Sequence, residues 1–138
     1  MGYSCYKKYP GCKSIYEEAS EIFHEDIGKL CFEGSVMKLN EFVNMQVAVV
    51  VTGISICHAY MMEHDVKPLF SAGHSIGEYT ALMAAGALAL PDAVKILKTR
   101  GELIKKILSK DSARMTIVEE ASRDVIDCLL YTSDAADD

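Results

Sequence analysis

Proline is scarce: the 138 residues contain 3, alongside 50% hydrophobic and 25% charged residues. That argues against a disordered or collagen-like chain and leaves one globular domain with a core. A basic excess is also lacking, since 14 Lys and Arg face 20 Asp and Glu for a formal net charge of −6. With no basic face or arm to neutralise phosphates, a nucleic-acid partner is not expected. Cys5, Cys12, Cys31, Cys57 and Cys128 form no Cys-x-x-Cys pair and no Cys/His spacing of a zinc site. No metal is expected, and the thiols read as reduced and intracellular. The opening residues, Met1 to Pro10, lack the apolar stretch of a secretory signal. Together these absences point to a cytoplasmic protein.

One long uncharged run is present, Phe42 to Met62, with enough residues to cross a bilayer. Asn44, Gln46, Thr52, Ser55 and His58 interrupt it, and only Val47 to Val51 is continuously apolar. A buried core helix is expected there, and no membrane contact.

Ile15, Tyr16, Ala19, Ile22 and Phe23 recur at helical spacing opposite Glu17, Glu18 and Glu21, which predicts a surface helix over Lys13 to Phe23. A short helix follows over Asp26 to Phe32, stopping near Gly34, and then a long one over Met45 to His64. Pro68-Leu69-Phe70-Ser71-Ala72 reads as a buried strand, bounded by Pro68 and Gly73. Alanine-rich Ile76 to Ala85 reads as a helix packed on a sheet, and Pro91 opens another that runs to about Ser109. Met115 to Val118 is β-prone, and Ser122 to about Leu129 is helical. This order of elements indicates an α/β layered domain. Residues 128–138 break the pattern with a small, acidic, non-periodic string that resembles translated sequencing-adapter DNA. They are expected to be non-native; a disordered acidic tail is the alternative.

Gly73-His74-Ser75-Ile76-Gly77 is a G-x-S-x-G string between the predicted strand and helix. In a nucleophile elbow the strand stops at a tight turn that lifts the serine Oγ, and the helix amino end faces the site. The N–H of Ile76 can then stabilise the oxyanion formed when Ser75 attacks a carbonyl. A glycine-flanked turn with an N-capping serine is the simpler alternative. Arg100 lies on the same stripe as Ala93, Val94, Leu97, Ile104, Ile107 and Leu108. A guanidinium facing the interior needs an anion, and its planar fork suits a carboxylate. An internal salt bridge or a snorkelling arginine would also answer. The histidines are His24, His58, His64 and His74, none of them after Ser75. His74, adjacent in sequence, is expected to make a structural hydrogen bond, and the others to pack or face solvent. A nucleophilic serine therefore lacks an evident base here.

The string Ser71-Ala72-Gly73-His74-Ser75-Ile76-Gly77-Glu78-Tyr79, followed by Ala85-Gly86 and Arg100-Gly101, closely resembles malonyl-CoA:acyl carrier protein transacylases and polyketide synthase acyltransferase domains. The likeness extends over most of Tyr6 to Leu108, including Tyr9-Pro10-Gly11 and the glutamine-containing Asn44-Met45-Gln46. It implies a fragment of the large α/β-hydrolase-like subdomain over residues 1–114, with residues 115–127 opening a ferredoxin-like small subdomain. It further implies that Ser75 carries the acyl group, Ile76 supplies an oxyanion N–H, Arg100 binds the malonyl carboxylate, and Gln46 and His74 line or brace the site. The substrates implied are malonyl-CoA and the phosphopantetheine thiol of an acyl carrier protein, with no bound cofactor.

Family members also have a Gly-Gln-Gly-Ser-Gln loop near their start and a histidine base well past the serine, and neither occurs in this sequence. The chain is thus expected to be an internal portion of the enzyme and nearly inactive alone. A serine esterase of the α/β-hydrolase type is an alternative that leaves Arg100 without a reason. A non-catalytic fragment binding the carrier through Lys95, Lys98, Lys105, Lys106 and Lys110 is another, although those lysines also suit a solvated helix face.

Overall fold

The structure is a computed structural model that describes residues 1–108 and 119–134. Those residues form eight helices: α1 (Tyr3–Lys8), α2 (Pro10–Phe23), α3 (Ile27–Phe32), α4 (Val36–Leu39), α5 (Phe42–His64), α6 (Gly77–Ala84), α7 (Leu90–Leu108) and α8 (Arg123–Asp134). Local chemistry sets most of the boundaries. Pro10 opens α2, where its missing N–H forfeits no helical bond. Asp26 caps α3 by accepting the Lys29 N–H at 2.7 Å, and Ser35 caps α4 by accepting the Lys38 N–H at 3.2 Å. His24 and Asp65 end α2 and α5 in left-handed conformations, at φ 64° and 49°.

Helix α5 is the centre of the fold, packed by α2, α6 and α7. Val47, Ala48, Val50 and Val51 are all buried, and they join Tyr16, Ala19 and Phe23 of α2 and Val94 and Leu97 of α7 in one core. By length and composition α5 could cross a membrane. The side chains of Asn44, Gln46 and Thr52, however, have protein partners, while the buried Ser55 hydroxyl has none among the described residues. The Asn44 amide donates to the Lys38 carbonyl at 2.9 Å, and the Thr52 hydroxyl pairs with the Tyr16 phenol at 2.9 Å. The Ser55 carbonyl accepts the Cys12 thiol at 3.2 Å. The expected core helix is therefore present, though its far end is wetter than the sequence suggests, with Tyr60 and Met62 exposed.

Small residues let the helices approach. A Cβ at Gly53 would lie 3.0 Å from the Thr80 hydroxyl on α6, and one at Gly101 would lie 2.9 Å from the Val43 Cα. The second contact locks α7 against the start of α5.

The layered α/β order is not seen among the described residues, which include no strand. Pro68 to Ala72, expected as a buried strand, is irregular, with Leu69 91% and Phe70 93% exposed. A strand is held by a neighbour that takes its backbone hydrogen bonds. None of the described segments offers one, so these side chains have nothing to pack on. Met115 to Val118 lies outside the described residues. Helices α1 and α4 were not expected, and α8 continues past Leu129 to Asp134, into the string that follows Cys128.

Candidate active site

Between residue 65 and α6 the chain turns sharply at the G-x-S-x-G string. Ser75 has φ 54°, a left-handed conformation that costs a serine about 1 kcal/mol or more and tends to be kept where function needs it. The turn is closed by the Gly77 N–H donating to the His74 carbonyl at 2.9 Å and the Glu78 N–H donating to the Ser75 carbonyl at 3.1 Å. Helix α6 starts immediately afterwards. The Ser75 side chain is exposed, and the Ile76 N–H has no acceptor among the described residues. Serine oxygen and helix-start N–H thus share one turn, as an attack on a carbonyl would require. The alternative of an N-capping serine finds no side-chain cap bond at α6.

The two flanking glycines differ. A Cβ at Gly73 would stand 2.1 Å from the Gly77 carbonyl oxygen, whereas one at Gly77 would meet nothing within 4 Å. Only Gly73 is dictated by crowding. The approach to the turn is tied to α6 by the Ser71 hydroxyl, which donates to the Ala81 carbonyl at 2.9 Å.

Gln46 and Arg100, 54 positions apart in the chain, meet across the α5–α7 crossing. The Arg100 guanidinium donates from Nη1 to Gln46 Oε1. Gln46 is buried to 1% exposure, and its own amide donates to the Phe42 carbonyl at 3.3 Å. Arg100 is half-buried and forms no ion pair among the described residues. The internal salt bridge is therefore absent among the described residues. A neutral amide holds the guanidinium, and no carboxylate among the described residues pairs with its charge.

Arg100 lines an open groove of about 560 Å³ together with Tyr79, Ile96, Leu103 and Ile104. Tyr79 lies in the first turn of α6, so the helix that follows the elbow also forms one wall of the Arg100 groove. Sequence reasoning did not single out Tyr79; its spacing from Ser75 was the available signal. The apolar stripe of α7 is buried only through Ala93, Val94, Leu97 and Gly101, with Leu103 and Ile107 exposed beyond it. Lys95 borders the groove, Lys98 lies over the Phe23 ring at 5.6 Å, Lys105 and Lys106 are exposed, and Lys110 lies outside the described residues.

The histidine side chains do not converge on Ser75. His74 is exposed and its side chain makes no hydrogen bond among the described residues, in place of the structural bond expected of it. His24 caps α2, His58 packs over Gly11, and His64 lies against Tyr60 in a tilted ring contact at 4.5 Å.

Residues 1–132 match the acyl transferase domain family. The chain is a member of that family. Among its relatives is a malonyl CoA-acyl carrier protein transacylase of Bacillus subtilis, 40% identical over 105 residues, which cover 76% of this chain and 26% of that protein. A malonyl CoA-acyl carrier protein transacylase structure from Clostridium perfringens superposes with a TM-score of 0.79 at 26% identity, covering 96% of this chain and 42% of that one. A malonyl-transacylase solved in complex with a type II polyketide synthase acyl-carrier protein superposes at 0.69 with 28% identity, covering 73% and 33%. The chain thus spans about a quarter to two fifths of the length of these relatives. They are α/β proteins, whereas the described residues of this chain are mostly helical and include no strand.

Proposed function

We propose that this chain is the serine-bearing part of an enzyme that transfers a malonyl group from malonyl-CoA to the phosphopantetheine thiol of an acyl carrier protein, in fatty acid or polyketide synthesis. The observation that carries the reading is Arg100, a half-buried guanidinium held by Gln46 with no carboxylate partner among the described residues. A bound malonyl carboxylate supplies the missing anion through a paired, charge-assisted contact. An ester hydrolase gives that arginine no such task.

The chemistry proceeds in two halves. Ser75 Oγ attacks the thioester carbonyl while its proton passes to a base, the Ile76 N–H stabilises the oxyanion, and the C–S bond breaks to release coenzyme A as its thiol. The carrier's thiol then attacks the malonyl ester, and Ser75 leaves as the hydroxyl. None of the four histidines is hydrogen-bonded to Ser75, so the base comes from another part of the protein. The 138 residues alone are accordingly nearly inactive, and a cytoplasmic location goes with the reading.

Mixing the full-length protein with malonyl-CoA is expected to add one malonyl group, seen by intact mass, and Ser75→Ala is expected to remove the adduct. Labelling that persists in the alanine variant refutes Ser75 as the carrier. Arg100→Ala should impair malonyl transfer at least tenfold more than acetyl transfer; equal losses for the two acyl groups would remove the carboxylate-clamp role.

A further inference from the structure

We infer that Gly101 is a positioning residue for the carboxylate site: because it has no Cβ, the buried Gln46 amide keeps the orientation that aims the Arg100 guanidinium. The inference rests on the malonyl reading above and extends it to a residue that does not line the Arg100 groove.

Helices α5 and α7 cross with Val43 and Gln46 on one side and Arg100 and Gly101 on the other. Gln46 is held at both ends of its amide. The nitrogen donates to the Phe42 carbonyl at 3.3 Å, and the oxygen accepts the Arg100 guanidinium. At 1% exposure, Gln46 has no solvent side into which to retreat. A Cβ on Gly101 would stand 3.1 Å from the amide nitrogen, 3.1 Å from Val43 Cγ2 and 2.9 Å from Val43 Cα. Val43 Cγ2 belongs to a side chain and can turn aside. Val43 Cα is backbone, so either α7 moves off α5 or the Gln46 amide gives way.

Both movements reach Arg100. An amide is planar by resonance, so a push on its nitrogen swings its oxygen as well. A shift of α7 instead carries the guanidinium away from an oxygen fixed on α5. In each case the Gln46 bond weakens and the guanidinium loses its set direction, with no substitution in the groove itself.

The test measures kcat/KM for malonyl-CoA and for acetyl-CoA in the full-length protein, in Gly101→Ala, in Gln46→Leu and in the variant carrying both changes. Loss of folded protein lowers both values by the same factor, so a merely structural role leaves their ratio unchanged. The malonyl-to-acetyl ratio is expected to fall about fivefold in Gly101→Ala, and by less than about twofold when Gly101→Ala is added to Gln46→Leu, as for residues acting through one contact. Val43→Ala, alone and with Gly101→Ala, keeps the test decisive should Gly101→Ala fail to fold, since it removes the Cγ2 contact and leaves the one at the Gln46 amide. An unchanged ratio in whichever Gly101→Ala protein folds, or an equal fall with and without Gln46, overturns the inference alone. A parent that forms no malonyl-enzyme overturns the malonyl reading, and this inference with it.

Discussion

At the residue scale, Arg100 and Gln46 define the site more sharply than the serine does. Each is costly where it sits unless it has a partner: Gln46 is almost fully buried, and Arg100 is half-buried with no ion pair among the described residues. Their bond satisfies the amide oxygen and aims the guanidinium, leaving its remaining donors for a carboxylate. On the proposed malonyl reading, Gln46 is a positioning residue. Gln46→Leu is expected to raise KM for malonyl-CoA about tenfold with a smaller change in kcat and little change in acetyl transfer, while Gln46→Glu should compensate the arginine internally and depress malonyl binding further. Steady-state kinetics with both acyl donors check this, and a uniform loss across donors would mean that Gln46 serves only the fold.

At the scale of elements, the glycines separate crowding from habit. A Cβ at Gly101 presses on the Val43 backbone, which cannot rotate away as a side chain can. Gly101→Ala is expected to cost about 1–3 kcal/mol through overpacking, even though alanine is the better helix former. Gly77, at the start of α6 with open space around its missing Cβ, should accept alanine with a change within about 1 kcal/mol and a small gain from helix propensity. Urea unfolding of the two variants gives both values, and a Gly101→Ala protein as stable as the parent would show that α7 can shift away from α5.

At the scale of the whole molecule, the core places a phenol where ionisation opposes folding. Burial pushes Tyr16 from the ordinary 10.0 up to about 12, with the Thr52 hydroxyl working the other way. Between those values the unfolded chain gives up a proton that the folded chain keeps. The stability tied to Tyr16 is therefore fully present below pH 10 and is lost as pH rises towards about 12, at no more than about 1.4 kcal/mol per pH unit. Urea midpoints measured at pH 9 and pH 11 are expected to fall more steeply in the parent than in Tyr16→Phe, which is less stable overall by about 1 kcal/mol for its lost hydrogen bond. Parallel slopes would show that other groups govern the alkaline range.

The sequence by itself determined the helices whose signals are local: the apolar spacing of α2, Asp26 before α3, the uncharged run of α5, and Pro91 at the start of α7. It also determined the serine turn, because the G-x-S-x-G string brings its parts together within a few residues. Tertiary structure decided everything that depends on a partner distant in sequence. Gln46 and Arg100 meet only because Gly101 lets α7 cross α5 closely, and Tyr79 joins the Arg100 groove only through the placement of α6. The strand read at Pro68 to Ala72 fails for the same reason in reverse. A helix closes its hydrogen bonds within itself, whereas a strand takes its structure from a neighbour.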